Sequence, residues 1–280
     1  MVEVGSELKD YREGDRVAIQ PLLTPGDDYY SVRGLGHLSE PSAFVGIRDW
    51  AWGGMGEYAV LNDYNVFKLP DSVSYEQGAL VEPAAVTLYA VDNSGLQAGN
   101  TVLISGVGTI GALTVLSANA AGASQIFVAE PNPARRKFIE SWGLCAGVFD
   151  PITEDVPERI REQTNVGVDV AIECAGNENS LAACLRSVRR QGTVVQVGLP
   201  TAACNVDLQL LVIQDVTLRG SFCYPIYSWP RVIGLIAARK LPVEKTISSL
   251  VSLDAAVPEG FEVLTAPGTD RLKILIQPAA

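Results

Sequence analysis

The sequence predicts an α/β protein, a doubly wound parallel sheet joined to a smaller β-rich part. Three observations carry this. Apolar runs of strand length alternate with stretches of helix length from about Glu82 to Arg239. A glycine-rich turn lies between the first of these strands and its helix. Outside that span the rhythm is lost, and short apolar alternations sit between Gly, Pro and Asp turns.

Taken in order, residues 1–75 read as β-rich, with strands at Arg16–Ile19 and Tyr58–Leu61. Pro21 to Ser42 reads as a long polar loop, and a loop of that length inside a domain is commonly functional. Thr101–Ser105 is a short apolar strand, followed by a helix over Thr109–Ala121 that stops at Gly122. Ile126–Glu130 is the next strand. Asn132 caps the next helix, with Pro133 in its first position. Asp169–Glu173 reads as a strand and Ser180–Arg190 as a helix ending at Gly192. Thr193–Val197 and Val216–Leu218 are further strands. Leu250–Leu253 and Leu272–Ile276 follow, separated by a short helix near Pro258–Leu264. This places a dinucleotide-binding domain at 82–239 and a β-rich domain at 1–81 and 240–280.

The strongest motif is Gly106-Val-Gly108-Thr-Ile-Gly111. It leaves one strand and opens a helix, the context in which G-x-G-x-x-G binds a dinucleotide. Gly106 permits the tight turn, Gly108 lets backbone approach a pyrophosphate, and Gly111 lets helix and strand close up. The helix N-terminus then presents unpaired N–H groups to phosphate. Glu130 ends the second strand, nineteen residues after Gly111. A carboxylate there accepts bonds from both adenosine ribose hydroxyls and repels a 2′-phosphate, so the reading is a Rossmann domain for NAD(H) rather than NADP. Arg135 and Arg136 lie close enough to soften that preference.

Composition excludes several partners. Lys and Arg total 21 against 32 Asp and Glu, a net charge of −11, so a nucleic-acid phosphate backbone is repelled. The longest apolar run, Gly111–Ala123, is interrupted by Thr114, Ser117, Asn119 and Gly122 and does not suit a membrane span. The five cysteines form no C-x-x-C pair, and MVEVGSELKD lacks the apolar core of a signal peptide; both point to the cytoplasm.

The fingerprint and its surroundings resemble the medium-chain, zinc-type alcohol dehydrogenases, in their sorbitol and 2,3-butanediol branch. The resembling stretches include Gly14-Asp-Arg-Val17, Gly56-Glu-Tyr-Ala59, Lys68-Leu-Pro-Asp71, Ala79-Leu-Val-Glu-Pro83 and Val102–Gly108. Further on come Asp169–Gly176, Gly192–Gly198 and Lys273–Ile276. The resemblance implies a partial GroES-like domain beside the Rossmann domain. It also implies hydride transfer between NAD and a small secondary alcohol, diol or polyol and its carbonyl. By the same resemblance Ile110 lies at the pyrophosphate turn, and Glu130 and Arg135 lie on the adenosine side. Val197, Gly198, Leu199, Ser221, Phe222 and Cys223 fall near the nicotinamide. Glu82 and Tyr224 match positions facing metal or substrate. A homodimer or homotetramer is implied, with Ser221–Pro230 as a contact.

The pattern also departs from that family. Relatives begin upstream of the region matching Met1, in a segment that holds the catalytic zinc cysteine and a His-Glu pair. Here the sole histidine is His37 and no cysteine precedes Cys145. Of the matched zinc ligands only Glu82 remains, and it reads equally as a helix start ahead of Pro83. The family's structural zinc cysteines, spaced C-x2-C-x2-C-x7-C, match Pro25, Asp28, Ser31 and Ser39, which cannot build a Zn–S4 centre. His37 reads as an exposed loop histidine or a stray ligand. Cys174 reads as a small buried residue or a reactive thiol. Cys223 replaces the arginine that precedes the substrate-side tyrosine in the polyol branch. The expected protein is therefore a dehydrogenase without a normal zinc site. The alternatives are a zinc-free quinone or enoyl-type reductase, and a non-catalytic or truncated NAD-binding protein.

Overall fold

The computed structural model describes residues 1–40, 43–47 and 53–278. The chain divides into two compact units: Met1–Ala85 with Cys223–Glu262 and Ile274–Ala280, and Val86–Phe222 with Val263–Lys273.

In the first unit, β1 (Val17–Ile19) pairs antiparallel with β4 (Val66–Lys68), and β2 (Leu22–Leu23) with β3 (Ala43–Phe44). Buried Asn65 fastens the link from β1 to β2, its amide donating to the Gln20 carbonyl at 2.7 Å and the Leu22 carbonyl at 3.0 Å. Tyr58–Leu61 forms no strand: Tyr58 and Val60 are exposed, and alternation without a pairing partner does not hold a sheet. The expected loop from Pro21 contains β2 and two 3-10 turns, Ser31–Arg33 and Gly36–Leu38, while its last residue, Ser42, lies outside the described residues. Helix α1 (Tyr75–Ala79) starts in a capping box, Ser74 and Gln77 each accepting the other's backbone N–H. Helix α2 (Val81–Ser94) follows at once, with Glu82 in its first turn.

The second unit alternates strand and helix: β5 (Thr101–Ser105), α3 (Thr109–Ala120), β6 (Gln125–Ala129), α4 (Pro133–Glu140) and β7 (Gly147–Phe149), then α5 (Val156–Thr164) and β8 (Val168–Glu173). It continues with α6 (Glu178–Ser187), β9 (Val188–Gln196), α7 (Leu208–Gln214) and β10 (Thr217–Gly220). All six strands are parallel in the order β10-β9-β8-β5-β6-β7. The chain winds outward from β5 in one direction, then returns to β8 on the other side. That reversal opens a crevice at the carboxyl ends of β5 and β8. The central strands β5, β6 and β8 are buried on both faces, which explains their nearly unbroken apolar runs. Val102, Ile104, Ile126, Val128, Val170 and Ile172 pack with Ala112 and Val115 of α3. Leu103, Phe127, Ala171 and Val194 face the other way, against Ile160 of α5 and Leu181 and Leu185 of α6.

The predicted helix over Ser180–Arg190 is shorter at its end. α6 stops at Ser187, and β9 runs straight from Val188 through Gly192. β-branched Val188 is buried and pairs with Val168, so the sheet captures it from the helix. α8 (Ser228–Ala237), β11 (Ile247–Ser252), α9 (Glu262–Thr265) and β12 (Lys273–Gln277) complete the chain, β11 pairing with β12. Among the described residues no helix is long and apolar enough to cross a membrane.

Candidate active site

The strand register brings the carboxyl ends into line. Ala129, Ser105, Glu173, Gln196 and Gly220 stand side by side across β6, β5, β8, β9 and β10. A cleft of about 640 Å³ opens there, lined by Ser105–Gly108, Glu130, Arg135, Cys174 and Ala175 among others. Gly106 has φ +89°, and a Cβ on it would lie 2.9 Å from Ala175. On Gly111 a Cβ would fall 1.8 Å from the Gly106 carbonyl oxygen. Gly108, at the N-cap of α3, has open space around it, which leaves its backbone approachable. Ile110 stands in the first turn of α3, where its carbonyl accepts the Thr114 hydroxyl at 2.8 Å.

Glu130 is buried at the rim of this cleft. One carboxylate oxygen accepts the Val107 N–H at 2.6 Å and the other the Asn132 N–H at 2.8 Å. Asn132 in turn caps α4, accepting from Ala134 and Arg135. Arg136 is occupied: it donates to the Glu130 and Pro131 carbonyls at 2.7 Å each and pairs with Asp150 at 3.0 Å. Arg135 lines the cleft, with one long bond of 3.4 Å to the Arg271 carbonyl.

The remaining second-unit positions lie on the turns after β9 and β10. The Val197 and Gly198 N–H groups both donate to the Glu173 carbonyl at 2.9 Å, Leu199 is exposed, and the Ser221 N–H donates to the Gln196 carbonyl at 2.9 Å. Phe222 ends the longer segment of the unit and is half exposed. Cys174 sits 3.7 Å from the Thr114 hydroxyl, and burial pushes its thiol up to about 12, which argues against a reactive thiolate.

The first unit gathers a different set. Tyr224 is fully buried, edge-on to Trp229 at 5.9 Å, and its phenol is raised by burial and then by the Glu82 carboxylate. Burial and Glu82 likewise push the Cys223 thiol up to about 11. Glu82, Cys223 and Tyr224 thus form one neighbourhood. Tyr224 also lines a small cavity of about 60 Å³ with Gln20, Thr24, Tyr64 and His37. His37 is buried rather than exposed as expected, because the two 3-10 turns fold around it, and that burial lowers its pKa to about 4.

The comparisons with known proteins agree with this geometry. Residues 109–238 match the model described as zinc-binding dehydrogenase, and residues 1–71 the model of the alcohol dehydrogenase GroES-like domain. The (R,R)-butanediol dehydrogenase of Bacillus subtilis (strain 168) is 36% identical over 279 residues, 99% of this chain and 78% of that protein. The chain belongs to the zinc-type medium-chain alcohol dehydrogenase family. The B. subtilis enzyme's crystal structure superposes with a TM-score of 0.91 at 35% identity, covering 99% of this chain and 78% of that one. Human sorbitol dehydrogenase is 32% identical over 93% of this chain and 72% of its own length. A zinc-binding dehydrogenase from Sinorhizobium meliloti 1021, solved bound to NADP, gives a TM-score of 0.90 at 31% identity, covering 99% of this chain and 80% of that one.

The family's metals find little here. Among the described residues no three His, Cys, Asp or Glu side chains gather into a metal centre. At the positions matching the structural zinc, exposed Pro25 offers no donor, and the other three are bound to each other. Asp28 accepts from the Ser31 hydroxyl and from the Ser39 hydroxyl at 3.0 Å, and the two hydroxyl oxygens lie 2.9 Å apart. The Tyr30 and Ser31 N–H groups add 2.9 Å and 3.3 Å bonds to the same carboxylate. One carboxylate and two hydroxyls do not make the thiolate set that zinc needs. The Ser31 hydroxyl first, then the Tyr30 N–H and the Ser39 hydroxyl, hold the Asp28 carboxyl down to about 2.

Sequence reasoning missed Glu173 and Gln196. The only signal available was an acid closing the apolar run Val170–Ile172.

Proposed function

We propose that the chain is an NAD(H)-dependent oxidoreductase for a small secondary alcohol, diol or polyol and its carbonyl. The names of its relatives support that substrate class over a quinone or enoyl. The observation that carries the cofactor is Glu130, fixed by the Val107 and Asn132 N–H groups at the mouth of the glycine loop. A carboxylate in the cleft lining suits ribose hydroxyls, and its charge opposes a 2′-phosphate. Of the two arginines that follow, Arg136 is held by Asp150, while Arg135 lines the cleft.

Bound nicotinamide supplies the hydride acceptor or donor. The chain's own residues do the rest. Gly106, Gly108, Ile110 and Gly111 give the pyrophosphate a backbone cradle, and Arg135 serves the adenosine side. Val197, Gly198, Leu199, Ser221, Phe222 and Cys223 serve the nicotinamide side. Tyr224, with Glu82 in its neighbourhood, is the candidate hydroxyl on the substrate side; burial keeps its phenol neutral, so it offers a hydrogen bond rather than a readily released proton. We assign no step to zinc, since among the described residues no three His, Cys, Asp or Glu side chains gather to hold one. We further propose a cytoplasmic homo-oligomer in contact through Ser221–Pro230.

The test is a fluorescence titration with NADH and NADPH, followed by turnover of 2,3-butanediol and sorbitol with and without a chelator. Tighter binding of NADH and diol oxidation that survives the chelator are expected. Binding of neither nucleotide overturns the reading, and activity abolished by the chelator overturns its zinc-free part.

A further inference from the structure

The carboxylate of Glu173 ends β8 with no exposed surface. A buried carboxylate persists only where donors surround it. Here four donor contacts do so: the Ala175 N–H at 2.8 Å, the Gly176 N–H at 2.9 and 3.0 Å to the two oxygens, and the Gln196 amide at 2.5 Å. The same Gln196 nitrogen also donates to the Gly198 carbonyl at 2.7 Å. The Glu173 backbone carbonyl takes the Val197 and Gly198 N–H groups. One residue therefore ties together the turn after β8 and the turn after β9.

These turns are packed backbone to backbone. A Cβ on Gly176, which has φ +69°, would lie 2.8 Å from the Leu199 carbonyl oxygen. A Cβ on Gly198 would lie 2.3 Å from the Gly176 nitrogen and 2.7 Å from Glu173 Oε2. Contacts this close leave no room for a side chain, and the Glu173 carboxylate at their centre bonds to both turns. Through the Gln196 carbonyl the network also reaches Ser221.

We propose that Glu173 is a positioning residue for the nicotinamide half of the cofactor, acting through Gln196 on the Val197–Leu199 turn. The inference rests on the NAD(H) reading above. It separates the roles of two acids at the carboxyl ends of β6 and β8, the strands that flank β5: Glu130 serves the adenosine half, and Glu173 shapes the surface met by the nicotinamide half. It also explains why an acid is used. All contacting groups are N–H donors, so a carboxylate accepts from each, whereas an amide would set one of its own N–H groups against a donor.

The test compares NADH with ADP-ribose, which keeps the adenosine and pyrophosphate but lacks nicotinamide. Affinities are measured by calorimetry on the intact chain and on E173Q and Q196L. Both variants are expected to lower NADH affinity relative to ADP-ribose by about tenfold, the equivalent of one charged hydrogen bond. Retained ADP-ribose binding reports that the fold is intact. An unchanged NADH to ADP-ribose ratio in both variants, whether both ligands weaken together or neither does, overturns the positioning role while leaving the NAD(H) reading standing. Failure of the unmodified chain to bind NADH overturns both.

Discussion

Glu130 accepts the Val107 N–H at 2.6 Å, so the acid that follows β6 is fastened to the glycine loop that follows β5. Ribose recognition and phosphate cradle are thereby one mechanical unit. The short bond also explains how a carboxylate tolerates burial there, since its other oxygen is met by Asn132.

Replacing Glu130 by Ala should remove ribose acceptors and loosen the Val107 turn together. NADH affinity is expected to fall by about 10- to 100-fold, one to two charged hydrogen bonds, with NADPH affected less. Parallel fluorescence titrations check it. Equal losses for the two nucleotides would count against Glu130 as the discriminating residue.

Asp150 bears on the same preference from the other side. Its 3.0 Å pair with Arg136 occupies a guanidinium that also donates to the Glu130 carbonyl. In D150N that cation is partly released, and the ratio of NADPH to NADH affinity should rise, by about threefold for a modest gain in exposed charge. A ratio that stays fixed, or falls, would show that Arg136 does not reach the nucleotide.

Gly111 carries a steric prediction. A methyl group there would sit 1.8 Å from the Gly106 carbonyl oxygen, and backbone cannot yield as a flexible side chain can. Gly111→Ala should cost about 2–3 kcal/mol of stability or more, as overpacking at a rigid site does, and should remove NADH binding. Denaturant unfolding and titration read the two effects separately.

Cys174 has its thiol pushed up to about 12 by burial, with the Glu173 charge adding to it. It therefore stays protonated at pH 8. Alkylation by iodoacetamide in the folded protein should be slower than for a free thiol by on the order of 10³-fold, the ratio of thiolate fractions. Peptide mapping after timed labelling measures this. Labelling at the free-thiol rate would make the cysteine a reactive one after all.

What the sequence made legible follows from what it could not vary. Gly106 and Gly111 are dictated by close contacts that exclude a side chain, so the loop could be read from its glycine spacing together with the strand before it and the helix after it. The helix cap at Asn132 with Pro133 was legible because capping is local. Glu173 was not, because its donors come from residues 175, 176 and 196, and only strand pairing brings Gln196 beside it. The end of α6 was misplaced for a related reason. Helical periodicity continued to Arg190, but pairing with β8 claims the chain at Val188. His37 was expected in solvent because its loop is polar; two short turns enclose it, and no periodic pattern announces them.

The Asp28 cluster stands where the family resemblance implied four cysteines, and it gives the last prediction. Its hydrogen bonds from Ser31, Tyr30 and Ser39 all favour the charged carboxylate, which is why the group titrates near 2 rather than at its usual 3.8. The folded value is depressed, so the contribution to stability is fully present above the unfolded value. It is lost as pH falls from about 4 through about 2. At neutral pH, D28N should lower the melting temperature by about 2–4 °C, a shift typical of one lost polar cluster in a chain of this size. The gap between D28N and the unmodified chain should close as pH is taken from 4 towards 2. Because hydroxyls and a carboxylate hold the lobe, prolonged dialysis against a chelator should leave the unmodified chain's melting temperature unchanged. Scanning calorimetry across pH, with and without the chelator, provides all three readings. A melting temperature that drops in chelator and recovers on adding zinc would mean that metal, and not the Asp28–Ser31–Ser39 cluster, holds this lobe together.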